Sequence, residues 1–255
     1  MGKPGRKGAQ VTTIETGIKP LGGKAYGHIP HLPGSRMGPG DHSCHEGQAR
    51  ICTEKARDRH DTIIVQEKLD GSCVSVARID GHLHFLGRSG YLAISSPYEQ
   101  HRLFANWAWG NYDRFMGVLR DGERIVGEWL AQAHGTRYDL AHREPFVAFD
   151  LMAGGRRATV DELEQRFSLS GCGFERPHAV HVGGPLSMER AMYRVGIRGF
   201  YGALDPVEGV VYRVERDGQV DFLAKYVRPD KIDGCYLPEV TGAEAVWNWR
   251  PESED

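Results

Sequence analysis

A single lysine set between two strand-like runs constrains this chain more than any other feature. Lys68-Leu69-Asp70-Gly71 joins the β-rich residues 62–67 to residues 72–79, with a carboxylate two positions on and a glycine where the backbone must turn sharply. A lysine amine is protonated at neutral pH and becomes a nucleophile only where burial, neighbouring cations or a metal lower its pKa. By itself the four-residue pattern recurs by chance, most often as a solvated turn. Its weight comes from the ordered blocks that succeed it along the chain.

The runs around it read as short β-rich strands. Residues 72–79 and 82–86 flank Asp80-Gly81, a two-residue hairpin signal, and Asp121-Gly122 precedes a strand over 124–131. Residues 145–152 read as a buried strand, and residues 209–215 and 219–226 as a hairpin around Asp217-Gly218. Three stretches read as helical. One starts with Pro97 at its first position, presents Leu103, Phe104, Trp107, Phe115 and Val118 on one side, and is interrupted at Gly110. Thr159-Val160-Asp161-Glu162 is a capping box opening a second helix toward Phe167, and residues 187–195 form a third. Residues 1–60, rich in Gly, Pro and His, read as irregular structure without a long helix. The expected class is α+β, with antiparallel sheets enclosing a cleft and helices flanking them.

Composition narrows the setting. At 255 residues and 40% hydrophobic content the chain can bury a sizeable core. No run approaches the roughly 18 uninterrupted apolar residues of a membrane span, and the polar start lacks the apolar centre of a signal peptide, so the expectation is a cytoplasmic protein with no membrane partner. Five scattered cysteines fit reduced thiols better than a disulfide framework. A net charge of -2 leaves nucleic-acid binding to local basic patches. Lys3, Arg6 and Lys7 form one such patch at the N-terminus, where a short charged terminus is more often simply disordered. His42, Cys44, His45 and Cys52 carry zinc-ligand chemistry at a spacing that matches no zinc pattern. His31 and Arg36 are candidates for a cleft wall.

Val126-Gly127-Glu128-Trp129-Leu130, Phe149-Asp150, Glu208-Gly209-Val210-Val211-Tyr212 and Lys225-Tyr226-Val227-Arg228 come after the lysine in that order. The ordered set, over residues 63–228, resembles the covalent nucleotidyltransferase superfamily of ATP-dependent ligases and capping enzymes, and within it the RNA ligases. The resemblance implies the nucleotidyltransferase fold, ATP with Mg2+ as cofactors (Mn2+ an accepted substitute), and RNA bearing 5′-phosphate and 3′-OH ends as partner. It implies Lys68 as the nucleophile that takes AMP, with Arg88 and Lys225 as catalytic cations and Lys225 aiding deprotonation of Lys68 electrostatically. It places Glu67 near adenine, Asp70 and Gly71 at the ribose or a hydrated metal, Glu128 on the ribose hydroxyls, Phe149 against adenine, Glu208 at the metal and Arg228 among the nucleotide contacts. Glu208 and Asp70 are thereby the metal candidates.

Two departures stand out. Val227 occupies the position where the family often has a second lysine, with Arg228 one residue further, on the opposite face of a strand. Cys73 stands where many RNA ligases carry asparagine. The expected organisation is an N-terminal segment over 1–60 packed on a nucleotidyltransferase domain over 61–235, then a tail over 236–255 without an OB-fold domain. DNA nick sealing is the nearest alternative. A non-catalytic nucleotide- or RNA-binding module, relying on a partner protein for the function of a C-terminal domain, is the other.

Overall fold

A computed structural model describes residues 17–251; the basic patch at Lys3, Arg6 and Lys7 lies outside the described residues. Helix α1 (Glu46–Thr53) precedes strand β1 (Asp61–Lys68), so the N-terminal segment is not wholly irregular. Only Leu69, Asp70 and Gly71 separate β1 from β2 (Ser72–Ile79), yet the two strands enter different sheets. The chain continues through β3 (His82–Gly87), α2 (Glu99–Gly110), α3 (Tyr112–Val118), β4 (Glu123–Trp129), β5 (Phe146–Ala153) and β6 (Arg156–Arg157). It ends through α4 (Val160–Ser170), β7 (Ala179–Gly183), α5 (Met188–Val195), β8 (Gly209–Arg216), β9 (Gln219–Val227) and α6 (Pro238–Thr241). One sheet has the order β7-β1-β8-β9 and the other β3-β2-β4-β5-β6, with every neighbouring pair antiparallel.

Local chemistry explains the turns. Asp80-Gly81 and Asp217-Gly218 both have positive φ at the two central positions (50° and 79°, 50° and 73°), the backbone that a right-handed hairpin twist requires and that Asp-Gly tolerates. Thr159 caps α4 through the reciprocal bonds of a capping box with Glu162, and Ser187 accepts from the Arg190 N–H at the start of α5. Two expectations shift. The first long helix begins at Glu99 with Tyr98 as its cap, leaving Pro97 outside it. Its interruption falls at Asn111, between α2 and α3, where the backbone leaves helical geometry at φ −106°, ψ 21°.

Strand alternation divides the second sheet between two environments. Val74, Val76, Ile125, Trp129 and Phe146 face an aromatic core closed by Phe104, Phe115 and Phe167 from α2, α3 and α4. Val126, Met152, Cys73 and Phe149 gather instead around Tyr26, from the segment before α1. A bulge sets this second face. Val126 pairs with Asp150 and Gly127 with Ala148, so Phe149 is the extra residue, and the phase of β5 flips there. The first sheet packs Ile63, Val65, Tyr212 and Val214 against α1 and α5.

The two sheets are joined by a buried ion pair. Arg213 of β8 reaches Asp150 of β5 and also donates to the carbonyls of Phe149 and Ala158 at 3.2 Å. Asp150 further accepts from the Tyr26 hydroxyl at 2.6 Å and Arg157 at 3.1 Å. Removing one partner of such a pair strands a buried charge. Asp150→Ala is therefore expected to lower unfolding free energy by about 3–5 kcal/mol, read from urea denaturation. A loss below about 1 kcal/mol would show that the clamp is not what holds the sheets together.

Candidate active site

The strand register assembles the site before any side chain is considered. Lys68 closes β1 opposite Gly209 of β8, which brings Glu208, the residue just before β8, alongside it. Lys68 Nζ donates to Glu208 Oε2 at 2.6 Å. On the other sheet Glu128 of β4 lies opposite Cys73 of β2, and Glu128 Oε1 accepts from the Gly71 N–H at 3.0 Å. Glu128 therefore secures the turn by which the chain crosses between sheets. Gly71 is required there because a Cβ would sit 2.4 Å from the Trp129 carbonyl oxygen.

A cavity of about 370 Å³ opens between the sheets. It is lined by Glu67, Lys68, Asp70, Gly71, Arg88, Glu128, Phe149, Glu208 and Lys225, all of the candidates that the family resemblance implies except Arg228. Tyr26, Ile29, Val211 and Leu223 add apolar wall, with the Tyr26 and Phe149 rings edge-on at 5.3 Å. One end is thus apolar and aromatic and the other ionic, the profile of a small-molecule site.

Arg228 is a correction to the sequence reading. Its guanidinium binds the Val207 carbonyl at 2.7 Å, the Pro206 carbonyl and Asp230, because the residue after Val227 leaves β9 facing away from the cavity. The unforeseen amine is Lys231. Its side chain is 1% exposed and its Nζ lies 2.6 Å from both Asp70 Oδ2 and Thr136 Oγ1. Asp70 is further held by the Gly135 N–H at 2.9 Å, while its own N–H donates to the Tyr138 hydroxyl at 2.9 Å. A lysine just past the incomplete final block was the available signal, but only tertiary contact shows that it turns back. Asp41 and Asp233 also reach the cavity unannounced. Asp41 lies 3.6 Å from Lys225 and 3.1 Å from the buried His31, and Asp233 pairs with Arg36, so these partners form the wall rather than His31 and Arg36.

Electrostatics set the charge on these groups in the free chain. Burial alone would depress the Lys68 pKa, but Glu208 and Glu128, the bond to Glu208, and Asp70 outweigh it and hold the amine protonated well above its usual range. Lys225 is instead the lowered lysine, through burial first and repulsion from Lys68 second. Burial pushes Glu128 up to about 7, with Lys68 opposing and Glu208 reinforcing. Burial would also raise Asp70, but Lys231 and Lys68 leave it below its ordinary value. Burial drives the Cys73 thiol upward, with Glu128 adding to it, which keeps that residue unreactive.

Among the described residues no group of three or more His, Cys, Asp or Glu side chains could hold a metal ion directly. His45 caps α1 and Cys52 is buried in the core, so the cysteine–histidine group does not converge. At the cavity, Asp70 and Glu208 each bind a lysine through one oxygen, and Glu128 binds the Gly71 N–H. Their other oxygens accept no hydrogen bond among the described residues and are not sealed from solvent. That donor set suits a divalent ion held through its own waters, which is how hard, strongly hydrated cations are commonly bound.

Two antiparallel sheets split by a lysine-bearing turn, with flanking helices, define a nucleotidyltransferase fold. The model of the RNA ligase family matches residues 61–227, and the chain belongs to that family. Solved structures similar to it include Naegleria gruberi RNA ligase as a lysine-to-alanine variant with ATP and Mn, and the same ligase with PPi. Each has 17% identity, a TM-score of 0.52, and coverage of 78% of this chain and 58% of that one. A lysine-to-methionine variant of that ligase with AMP and Mn matches at 16% identity, with a TM-score of 0.51 and coverage of 78% and 59%. The chain thus spans under two thirds of these neighbours' length. No curated protein sequence matches it. Among the described residues, no helix is long and apolar enough to cross a membrane.

Two measurements test the electrostatics. Glu67 is 1% exposed, accepts from the Phe200 N–H at 2.8 Å, leaves Oε1 unpartnered, and is pushed by burial from 4.5 to about 7. A raised carboxyl binds its proton more tightly when folded, so its stability penalty is absent below about pH 4.5 and grows as pH rises to 7. Glu67→Gln is expected to flatten that decline, by on the order of 3 kcal/mol at pH 7 relative to pH 4.5, in urea midpoints measured across that range. An unchanged slope would contradict the buried, orphaned carboxyl. Lys231→Met strands Asp70 and is expected to cost about 3–5 kcal/mol, with much of the loss recovered when Asp70→Asn is added. Strict additivity of the two changes would show the pair to be uncoupled.

Proposed function

We propose that the chain is an ATP-dependent RNA ligase working through a covalent lysyl-AMP on Lys68. The observation that carries this reading is the Lys68–Glu208 contact of 2.6 Å inside a cavity with an aromatic end. Glu208 is the group within reach to take the proton that Lys68 must lose. The freed Nζ attacks the α-phosphorus of ATP, an N–P bond forms, and the bond to pyrophosphate breaks. An oxygen of an RNA 5′-phosphate then attacks the same phosphorus, the N–P bond breaks, and the amine regains a proton. Attack of an RNA 3′-OH on the activated 5′-phosphate forms the new phosphodiester and expels AMP.

The chain's own groups divide this work. Phe149, with Tyr26 behind it, offers a face for adenine. Arg88 and Lys225 are preorganised cations for phosphate charge, and Lys231 keeps Asp70 ionised and fixed. Asp70, Glu128 and Glu208 would hold a hydrated Mg2+ or Mn2+ through their open oxygens, supplying positive charge that offsets the triphosphate and eases proton loss from Lys68. The protonated state of Lys68 in the free chain follows from its three carboxylate neighbours.

Incubation with α-labelled ATP and magnesium, followed by denaturation, is expected to leave label on the wild-type chain and none on Lys68→Ala. Label on both proteins would move the nucleophile elsewhere. Absence of label from wild type with both ATP and GTP would favour a binding module. Sealing of nicked duplexes that differ only in the sugar at the 3′-OH is expected to require RNA there, and equal sealing of an all-DNA nick would remove the RNA preference.

A further inference from the structure

Asp70 and Lys231 are both held by one irregular loop. Residues 130–138 follow β4, and within them the Gly135 N–H donates to Asp70 Oδ2 at 2.9 Å while Thr136 Oγ1 lies 2.6 Å from Lys231 Nζ. The Tyr138 hydroxyl accepts from the Asp70 N–H at 2.9 Å. These contacts come from a stretch that belongs to no helix and to none of the strands β1 to β9, so its geometry has to be imposed by what packs around it. On one side the loop is held through Arg137, which pairs with Asp205 at 2.9 Å and whose carbonyl accepts from the Leu204 N–H at 2.9 Å.

On the other side lies a strap, residues 246–250. The Ala133 N–H donates to the Val246 carbonyl at 2.9 Å, and the N–H groups of Asn248 and Trp249 both donate to the Ala131 carbonyl, at 2.8 and 3.1 Å. The Asn248 side chain spans the loop. Its Nδ2 donates to the Leu130 carbonyl at 2.7 Å and its Oδ1 accepts from the Tyr138 N–H at 3.0 Å, so one amide, carrying a donor and an acceptor side by side, ties the first residue of the loop to the last. The tryptophans flanking it fix the strap. Trp249 packs against both hydrophobic cores, with Trp129 edge-on at 5.8 Å, and Trp247 packs against the aromatic core under Arg250, whose guanidinium lies 4.1 Å from its ring. Arg250 in turn reaches Glu99 of α2 at 2.9 Å. The strap stands outside the nucleotide cavity and beyond the residues that the family model matches.

We propose that Asn248 is a positioning residue for adenylylation of Lys68, holding loop 130–138 so that Gly135, Thr136 and Tyr138 keep Asp70 and Lys231 in place. The assignment rests on the lysyl-AMP reading above. Asp70 stands at the ionic end of the cavity, where charge changes as the α-phosphorus is attacked, whereas Phe149 and Tyr26 form the opposite, aromatic end. A loosened loop therefore slows the step and leaves nucleotide binding nearly as it was.

The test pairs amide hydrogen exchange of the nucleotide-free chain with the rate of Lys68 labelling across ATP concentrations. In Asn248→Ala, exchange at Gly135 and Tyr138 is expected to quicken about tenfold and labelling at saturating ATP to slow about tenfold, each the equivalent of roughly one hydrogen bond. The ATP concentration at half-maximal rate is expected to move by less than about twofold. Arg250→Ala, which removes an exposed ion pair of the strap without touching the loop, is expected to keep the wild-type rate within about twofold. Asn248→Asp keeps an acceptor for Tyr138 and is expected to show losses of about threefold; it replaces the alanine variant if circular dichroism shows that one unfolded. Unchanged Gly135 exchange, an unchanged maximal labelling rate, or a loss in Arg250→Ala equal to that in Asn248→Ala overturns the proposal. If wild type takes no label, the lysyl-AMP reading falls and exchange alone decides: quickened at Gly135, Asn248 still positions Asp70; unchanged, the proposal falls too.

Discussion

The bond between Lys68 and Glu208 is the constraint around which the rest of the site is arranged. A buried ammonium is costly unless charges and hydrogen bonds compensate it, and a buried carboxylate is no cheaper. Each solves the other's problem only if β1 and β8 keep the register that puts Lys68 opposite Gly209. Glu128 and Asp70 then add negative charge, and Lys231 and Lys225 return positive charge. The outcome is an alternating ionic lattice at one end of a cavity whose other end is aromatic. Such a lattice orients polar groups in advance, which is where electrostatic assistance to phosphoryl chemistry is largest.

That lattice depends on a division made by three residues. Leu69, Asp70 and Gly71 carry the chain from one sheet to the other, so the lysine ends one sheet while the carboxylate paired with Lys231 begins the crossing. The gap between sheets must be kept at a fixed width for both halves to meet one ligand. The Asp150–Arg213 clamp does this, and the bulge at Phe149 presents that ring and Asp150 on the same inter-sheet side. An insertion of one residue in β5 thus serves both the clamp and the aromatic wall, where unbroken alternation would send one of them into the opposite core.

Much of the fold was legible in the sequence because its signals are local. Short β-rich or buried apolar runs marked β1 to β3, β4, β5, β8 and β9, two Asp-Gly pairs marked hairpins, and Thr159 and Ser187 marked helix starts. Short or weakly patterned elements were not visible. β7 is an edge strand whose Val182 is exposed, and α1 sits in a Gly- and His-rich stretch, so neither shows a strong apolar period. Pro97 misled by one turn signal, since its neighbour Tyr98 became the cap.

By itself the sequence determined the order of chemistry-bearing blocks, and with it the RNA ligase family and nine of the residues that line the cavity. Tertiary structure alone decided how these residues are charged and which further ones join them. Lys231 enters because the chain turns back after β9 and threads its side chain past Gly135, where a Cβ would meet its Nζ at 2.9 Å. Arg228 is excluded because one position along an extended chain reverses its direction. Lys68 stays protonated, and Lys225 is the depressed amine, because a pKa depends on burial and on the distance to every neighbouring charge. Those distances span residues far apart in sequence, and no local pattern encodes them.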